Sequence, residues 1–130
     1  MPSAKSTLGE RGEALAVDLL KRRGYRILEK NFRIQRGEID IIAQDRDTVC
    51  FIEVKTRRAF RQGAPSESIS IFKQRQLVRL ALLYLKGTRR LEEKARFDVV
   101  AVTMDENGKD NAQLIQNAFD LNDAGLTRYG

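Results

Sequence analysis

The sequence predicts an α/β protein, a mixed β-sheet flanked by helices, with its elements in the order αβββαββ. Three observations carry this. Two segments repeat apolar residues at helical spacing and stop near glycines. Between them lie three runs of β-branched and aromatic residues separated only by short polar turns, which implies an antiparallel meander. After the second helical segment, "FDVVAV" is a nearly continuous apolar strand, as expected where both faces of a sheet are covered. A strand reached through a helix, added to a meander, makes the sheet mixed.

The elements follow in order. Thr7-Leu8-Gly9-Glu10 fits a capping box, and Leu8, Leu15, Ala16, Leu19 and Leu20 recur at helical spacing until Gly24 stops the run. Strands are expected over Tyr25 to Ile34, Glu38 to Gln44 and Thr48 to Thr56. A loop containing Gly63 and Pro65 leads to a second helical stripe, Ile69, Phe72, Gln76, Leu77, Leu80 and Leu83, ending near Gly87. Arg96 to Thr103 reads as the buried strand. Asp105-Glu106-Asn107-Gly108 supplies a turn before a weaker strand over Gln113 to Ala118. No repeat or linker interrupts the chain, so one domain over residues 1–130 is expected.

Composition narrows the chemistry. With 42% apolar and 32% charged residues and two prolines, the chain can bury a core. No apolar run approaches the ~20 residues of a membrane span and the N-terminus lacks a secretion signal, so the expected location is the cytoplasm. The single cysteine, Cys50, lies in an apolar strand and reads as a small core residue. The absence of histidine excludes Ser-His-Asp triads, His-ligated zinc hydrolases and histidine general bases. Catalysis would then rest on carboxylates, lysine or metal. Twenty-four basic against eighteen acidic residues give a net charge of +6, which favours a polyanionic partner such as nucleic acid. The basic residues cluster, with Arg33 and Arg36, Arg57, Arg58 and Arg61, and Lys73, Arg75 and Arg79 among the groups.

The stretch "GEIDIIAQDRDTVCFIEVKTR" sets Asp40, Glu53 and Lys55 inside apolar strand runs, where charge is costly unless paired or bound to metal. A turn centred on Arg46-Asp47 would place Ile39, Ile41 and Ala43 opposite Val54, Ile52 and Cys50, giving one apolar face. The other face then carries Asp40 opposite Glu53, Ile42 opposite Phe51, and Lys55 beyond Glu53. Two opposed carboxylates repel unless a cation lies between them, and Mg²⁺ or Mn²⁺ suits an all-oxygen site shared with substrate phosphate. Lys55 would position the attacking water or stabilise charge on the phosphate. A structural salt bridge at a sheet end is the competing reading. Glu-x-Lys alone says little, since Glu92-x-Lys94 repeats it in a polar stretch. Glu13, in line with Val17 and Leu20, is a further candidate acid, although the helix macrodipole also favours an acid there. Asp98 in "RFDVV" reads as a paired or strand-end residue.

Gly12-Glu13, "GYRILEKNFR", "GEIDIIA", "FIEVKTR", the helix with Lys73 and Gln74, and "RFDVVAV" together resemble the YraN family of small bacterial proteins. That family is similar to the PD-(D/E)XK nuclease superfamily, and especially to archaeal Holliday-junction resolvases. The resemblance implies a restriction-endonuclease-like core with a Mg²⁺ or Mn²⁺ site. Asp40 falls on the acid before the hairpin, Glu53 and Lys55 on the Glu-x-Lys pair, and Glu13 on the helix-one acid. Lys73 falls on a basic position of the second helix that faces phosphate, and Arg36, Arg57 and Arg58 are the expected nucleic-acid contacts. The superfamily's proline is absent, since Ile39 precedes Asp40. The function implied is a metal-dependent nuclease acting on DNA, on branched or recombination intermediates, for which a homodimer would suit a symmetric junction. The alternative is a non-catalytic nucleic-acid-binding module that keeps the fold.

Overall fold

The computed structural model describes residues 8–58, 69–105 and 107–119. Its elements are α1 (Leu8–Arg22), β1 (Arg26–Ile34), β2 (Gly37–Asp45), β3 (Thr48–Arg58), α2 (Ile71–Gly87), β4 (Lys94–Met104) and β5 (Asn111–Phe119). The α/β class and the order αβββαββ are those expected. The five strands lie in sequence order β1-β2-β3-β4-β5, and β3 and β4 are parallel while the other neighbours are antiparallel. The crossover through α2 makes that parallel pair, as a helix-linked strand must. No described helix is long and apolar enough to cross a membrane.

Alternation along β3 sorts its residues between two cores. Cys50 and Ile52 join Ala16, Leu19, Leu20, Val100 and Val102 under α1. Val49 and Phe51 join Leu77, Val78, Leu80, Ala81, Tyr84, Phe97 and Val99 under α2. The aromatic rings of Phe51, Phe97, Tyr84 and Phe119 meet at centroid distances of 4.6–5.9 Å, which adds oriented ring contacts to the area they bury.

The helix ends follow from local chemistry. At the end of α1, Gly24 has φ +88°, the Tyr25 N–H donates to Leu20 O at 2.9 Å, and the Gly24 N–H donates to Lys21 O at 3.0 Å. This is a Schellman cap, whose left-handed residue suits glycine. Helix α2 opens on Ser70, whose hydroxyl accepts from the Lys73 N–H at 3.2 Å. It closes with the same cap built on Arg89 at φ +59°, two residues past Gly87, with Arg90 N–H donating to Leu85 O. Thr7 and the loop with Gly63 and Pro65 lie outside the described residues.

Two expectations need correction. Ile41, Ala43, Ile52 and Cys50 share the α1 face as expected, but Ile39 packs on the α2 side with Ile42. The β2–β3 ladder runs from Asp45↔Thr48 to Ile41↔Ile52 and stops, so alternation in β2 breaks at Asp40, whose side chain takes over the bonding to β3. Phe72, read as part of the apolar stripe of α2, is 79% exposed. The buried stripe is Leu77, Val78, Leu80, Ala81, Tyr84 and Leu85. At 3.6 residues per turn the centre of that stripe lies on the opposite side of the helix from Phe72, so Phe72 points to solvent.

Candidate active site

The site is built where β2 and β3 part. Glu53 and Lys55 fall on the face of β3 that carries Phe51, because side chains alternate, and α2 covers that face. Asp40 sits where the β2–β3 ladder ends. Its Oδ2 accepts the Val54 N–H at 2.8 Å, so a side chain replaces the next ladder bond and holds the carboxylate at the residue that lies between Glu53 and Lys55 in the chain. The opposed carboxylates read from the register are therefore brought together through a strand irregularity rather than a regular cross-strand pair.

Glu53 is the most constrained group. Its side chain is only 17% exposed, its Oε1 lies 3.9 Å from Lys73 Nζ, and its Oε2 is buried with no hydrogen-bond partner. Burial, and then the neighbouring Asp40 charge, push the Glu53 carboxyl up to about 7, against the pull of Lys73 and Lys55. Asp40 is also raised, first by burial, with the Val54 N–H opposing and Glu38 and Glu13 adding like charge. Two acids raised together, each first by burial, at one strand end form an electrostatic pattern that clusters at functional sites.

Glu13 reaches the cluster because α1 lies close on β3. A Cβ built on Gly12 would collide with Thr56 Oγ1, so the absence of a side chain permits this approach. Glu13 Oε1 accepts from Asn31 Nδ2 at 3.0 Å, and Asn31 has φ +54° within β1. Glu13 adds like charge at Asp40, yet among the described residues no group of three or more His, Cys, Asp or Glu side chains could hold a metal ion. The described site is thus a pair, Asp40 and Glu53, with Glu13 at its border.

The remaining sequence-predicted residues divide. Lys73, half-exposed, turns its Nζ to within 3.9 Å of Glu53 Oε1, so it is brought into the site as a counter-ion. Arg57 and Arg58 are exposed on β3 just beyond Lys55. Arg36 lies in the two-residue β1–β2 turn, where Gln35 and Arg36 both have positive φ as a type I′ turn requires. A hollow of about 430 Å³ lined by Arg33, Arg36 and Glu38 opens there. Two residues were not nominated for the site by the sequence reading. Glu38 raises both Asp40 and Glu53, and its place two residues before Asp40 in "GEIDI" was the available signal. Gln74, whose Nε2 donates to Ile69 O at 2.8 Å, keeps a buried Oε1 without a partner, and nothing in its local sequence announces that.

Comparison with known proteins bears on this arrangement. The profile of the Uncharacterised protein family UPF0102 matches residues 12–102, which span Glu13, Asp40, Glu53, Lys55 and Lys73. The chain belongs to that family. The YraN-like resemblance read from the sequence is borne out. UPF0102 proteins of Geotalea uraniireducens and Symbiobacterium thermophilum are each 48% identical to it, over 88% and 86% of this chain and 91% and 95% of their own. That of Geobacter metallireducens is 46% identical over 88% of this chain and 93% of its own. Among solved structures, Pyrococcus furiosus SfsA in complex with Ca²⁺ aligns at a TM-score of 0.41 and 16% identity, covering 83% of this chain and 61% of that one.

Proposed function

We propose that this UPF0102 protein is a metal-dependent nuclease that hydrolyses phosphodiester bonds of DNA at Asp40, Glu53 and Lys55. The observation that carries the reading is Glu53 Oε2, a buried carboxylate oxygen with no partner, beside the half-buried carboxylate of Asp40. An orphaned charged oxygen costs several kcal/mol in a folded protein unless a ligand satisfies it. The donor set, two carboxylates and no nitrogen or sulfur, suits Mg²⁺ or Mn²⁺. Bound there, such an ion supplies Lewis acidity toward a phosphoryl oxygen and a more acidic coordinated water.

The protein's own groups do the rest. Asp40 is held by the Val54 N–H and Glu53 by its packing, so both present oxygens without reorganising. Lys55, on the face of Glu53, is placed to donate to charge that develops on the phosphate, and Lys73 supplies a second cation beside Glu53. Arg57 and Arg58 offer contacts to flanking phosphates.

One observation favours a second reading. Lys73 already places positive charge 3.9 Å from Glu53, which is what a retired site kept as a non-catalytic nucleic-acid-binding module would need. Calorimetry with Mn²⁺ and a cleavage panel of single-stranded, duplex and four-way DNA separate the two. The nuclease reading expects Asp40→Asn and Glu53→Gln to weaken Mn²⁺ binding, and Lys55→Ala to slow cleavage about 10²-fold with DNA affinity nearly kept. A parent protein that binds DNA, ignores Mn²⁺ and cuts nothing selects the binding module.

A further inference from the structure

The described residues expose two large apolar side chains, Ile71 at 48% and Phe72 at 79%, and both stand in the first turn of α2. An isolated exposed apolar residue is ordinary. These are not isolated from function, because the next residue is Lys73, whose Nζ approaches Glu53. Phe72 leaves its ring in solvent, one residue before Lys73. Helix α2 carries Lys73, Arg75, Arg79 and Lys86 and no acidic residue.

We propose that Phe72 is a stacking platform for an unpaired base beside the phosphodiester held at Asp40 and Glu53, so that the substrate class is a nucleic acid with an unstacked nucleotide at the cleavage point. The inference rests on the nuclease reading for its placement, and names which strand geometry that site accepts. An exposed aromatic ring among cations is the combination that holds single-stranded nucleic acid: the ring takes the face of any base and the cations take the backbone. A fully paired duplex offers Phe72 only its outer edge, because its base faces are already stacked. A second copy of the chain fits this surface less well. A stable interface needs about 800 Å² from each partner, against two apolar side chains here, and two-fold pairing would set the basic α2 helices against each other.

The test uses three DNA probes of one sequence: a duplex, the same duplex with a short single-stranded gap carrying 2-aminopurine, and a fully paired four-way junction. Binding is measured in chelator, so that cleavage plays no part. Parent protein should bind the gapped probe most tightly and quench its 2-aminopurine. Phe72→Ala should lose about tenfold more affinity for the gapped probe than for the duplex, and Phe72→Trp should keep it. Equal affinities of Phe72→Ala and parent on all three probes overturn the proposal. So does a parallel loss on all three accompanied by a fall from dimer to monomer in light scattering, which assigns Phe72 to a second copy instead. No binding by the parent at low salt overturns it together with the nuclease reading. A Mg²⁺ cleavage assay separates the two otherwise. If the Phe72 contrast holds but nothing is cut, the nuclease reading fails and the base contact stands; if gapped and paired DNA are cut alike by parent and Phe72→Ala, the base contact fails alone.

Discussion

At the scale of single residues, Glu53 has the most to reveal, because its carboxyl is raised to about 7 while the same group in an unfolded chain titrates near 4.5. Between those values the folded protein holds a proton that the unfolded chain has released. The stability this contributes is complete below about pH 4.5 and is lost as the pH rises through 7, where the buried carboxylate ionises. Glu53→Gln removes the titration. At pH 8 and without divalent metal the variant should be more stable than the parent by about 2 kcal/mol, and the difference should vanish near pH 4.5. Urea midpoints across that range decide it, and parallel pH profiles would show that Glu53 does not carry the proton. Asp40, Glu53 and Lys55 were legible in the sequence because a charge inside an apolar strand run contradicts its surroundings. Glu38 was not, because an acid near a strand start looks like any surface residue. Lys73 was legible only as a basic helix position, and its turn toward Glu53 depends on how α2 lies over β3, which local pattern does not encode.

At the scale of elements, α1 and α2 cover opposite faces of the sheet, and the packing of α1 brings Glu13 to the acids. Gly12 governs that approach, since any side chain there meets Thr56 on β3. Gly12→Ala should raise intrinsic helix propensity by close to 1 kcal/mol, yet the collision should outweigh it and destabilise the protein by about 1–3 kcal/mol. Thr56→Ala in the same chain removes the hydroxyl and methyl that collide, so the double variant should recover part of the loss. Thermal melting of the two single variants and the double completes the cycle, and additive losses would mean that the helix does not rest on Thr56. All seven elements were legible from periodicity and turn residues, within one or two residues at most ends. The orientation of α2 was not. Its apolar residues are too evenly spread for the stripe to choose between Phe72 and its neighbours, and contact with Phe51 and Phe97 on the sheet settles what spacing leaves open. The break in β2 at Asp40 was equally hidden, because alternation assumes a regular ladder and Asp40 ends one by bonding Val54.

For the molecule as a whole, a net charge of +6 would make any association with a polyanion sensitive to salt. If the exposed arginines engage about five phosphates, DNA affinity should fall about 10²- to 10³-fold over a fourfold rise in salt, read by fluorescence anisotropy, and a flat response would remove nucleic acid as partner. The fold itself is held on the α1 face of the sheet by a buried polar network. Asp98, 1% exposed, is the one buried charged residue among those described, and it accepts from Arg96 Nε at 2.9 Å, from Tyr25 OH at 3.1 Å and from the Asn117 N–H at 2.8 Å. Arg96 also reaches Asp45 at 2.9 Å, so residues of β2, β4 and β5 and the lead-in to β1 are tied at one point. Asp98 lies where the β4–β5 register shifts, and its bond to Asn117, at φ +53°, fixes that irregularity. Asp47 offers the control, since it bonds Lys94 at a similar 3.0 Å but both side chains are largely exposed. Water screens and competes for the second pair and is excluded from the first. Asp98→Asn should therefore cost about 3 kcal/mol, at the low end for a broken buried pair because Arg96 keeps Asp45. Asp47→Asn should leave the urea midpoint unchanged within error. Neither variant should alter Mn²⁺ binding, because Asp98, beside Ile52 in the ladder, points to the face of the sheet opposite Glu53, and Asp47 lies in the exposed β2–β3 turn. Equal effects of the two substitutions on stability would mean that burial does not decide the worth of these pairs. A loss of metal affinity in folded Asp98→Asn would mean that the polar core and the acidic site act as one unit.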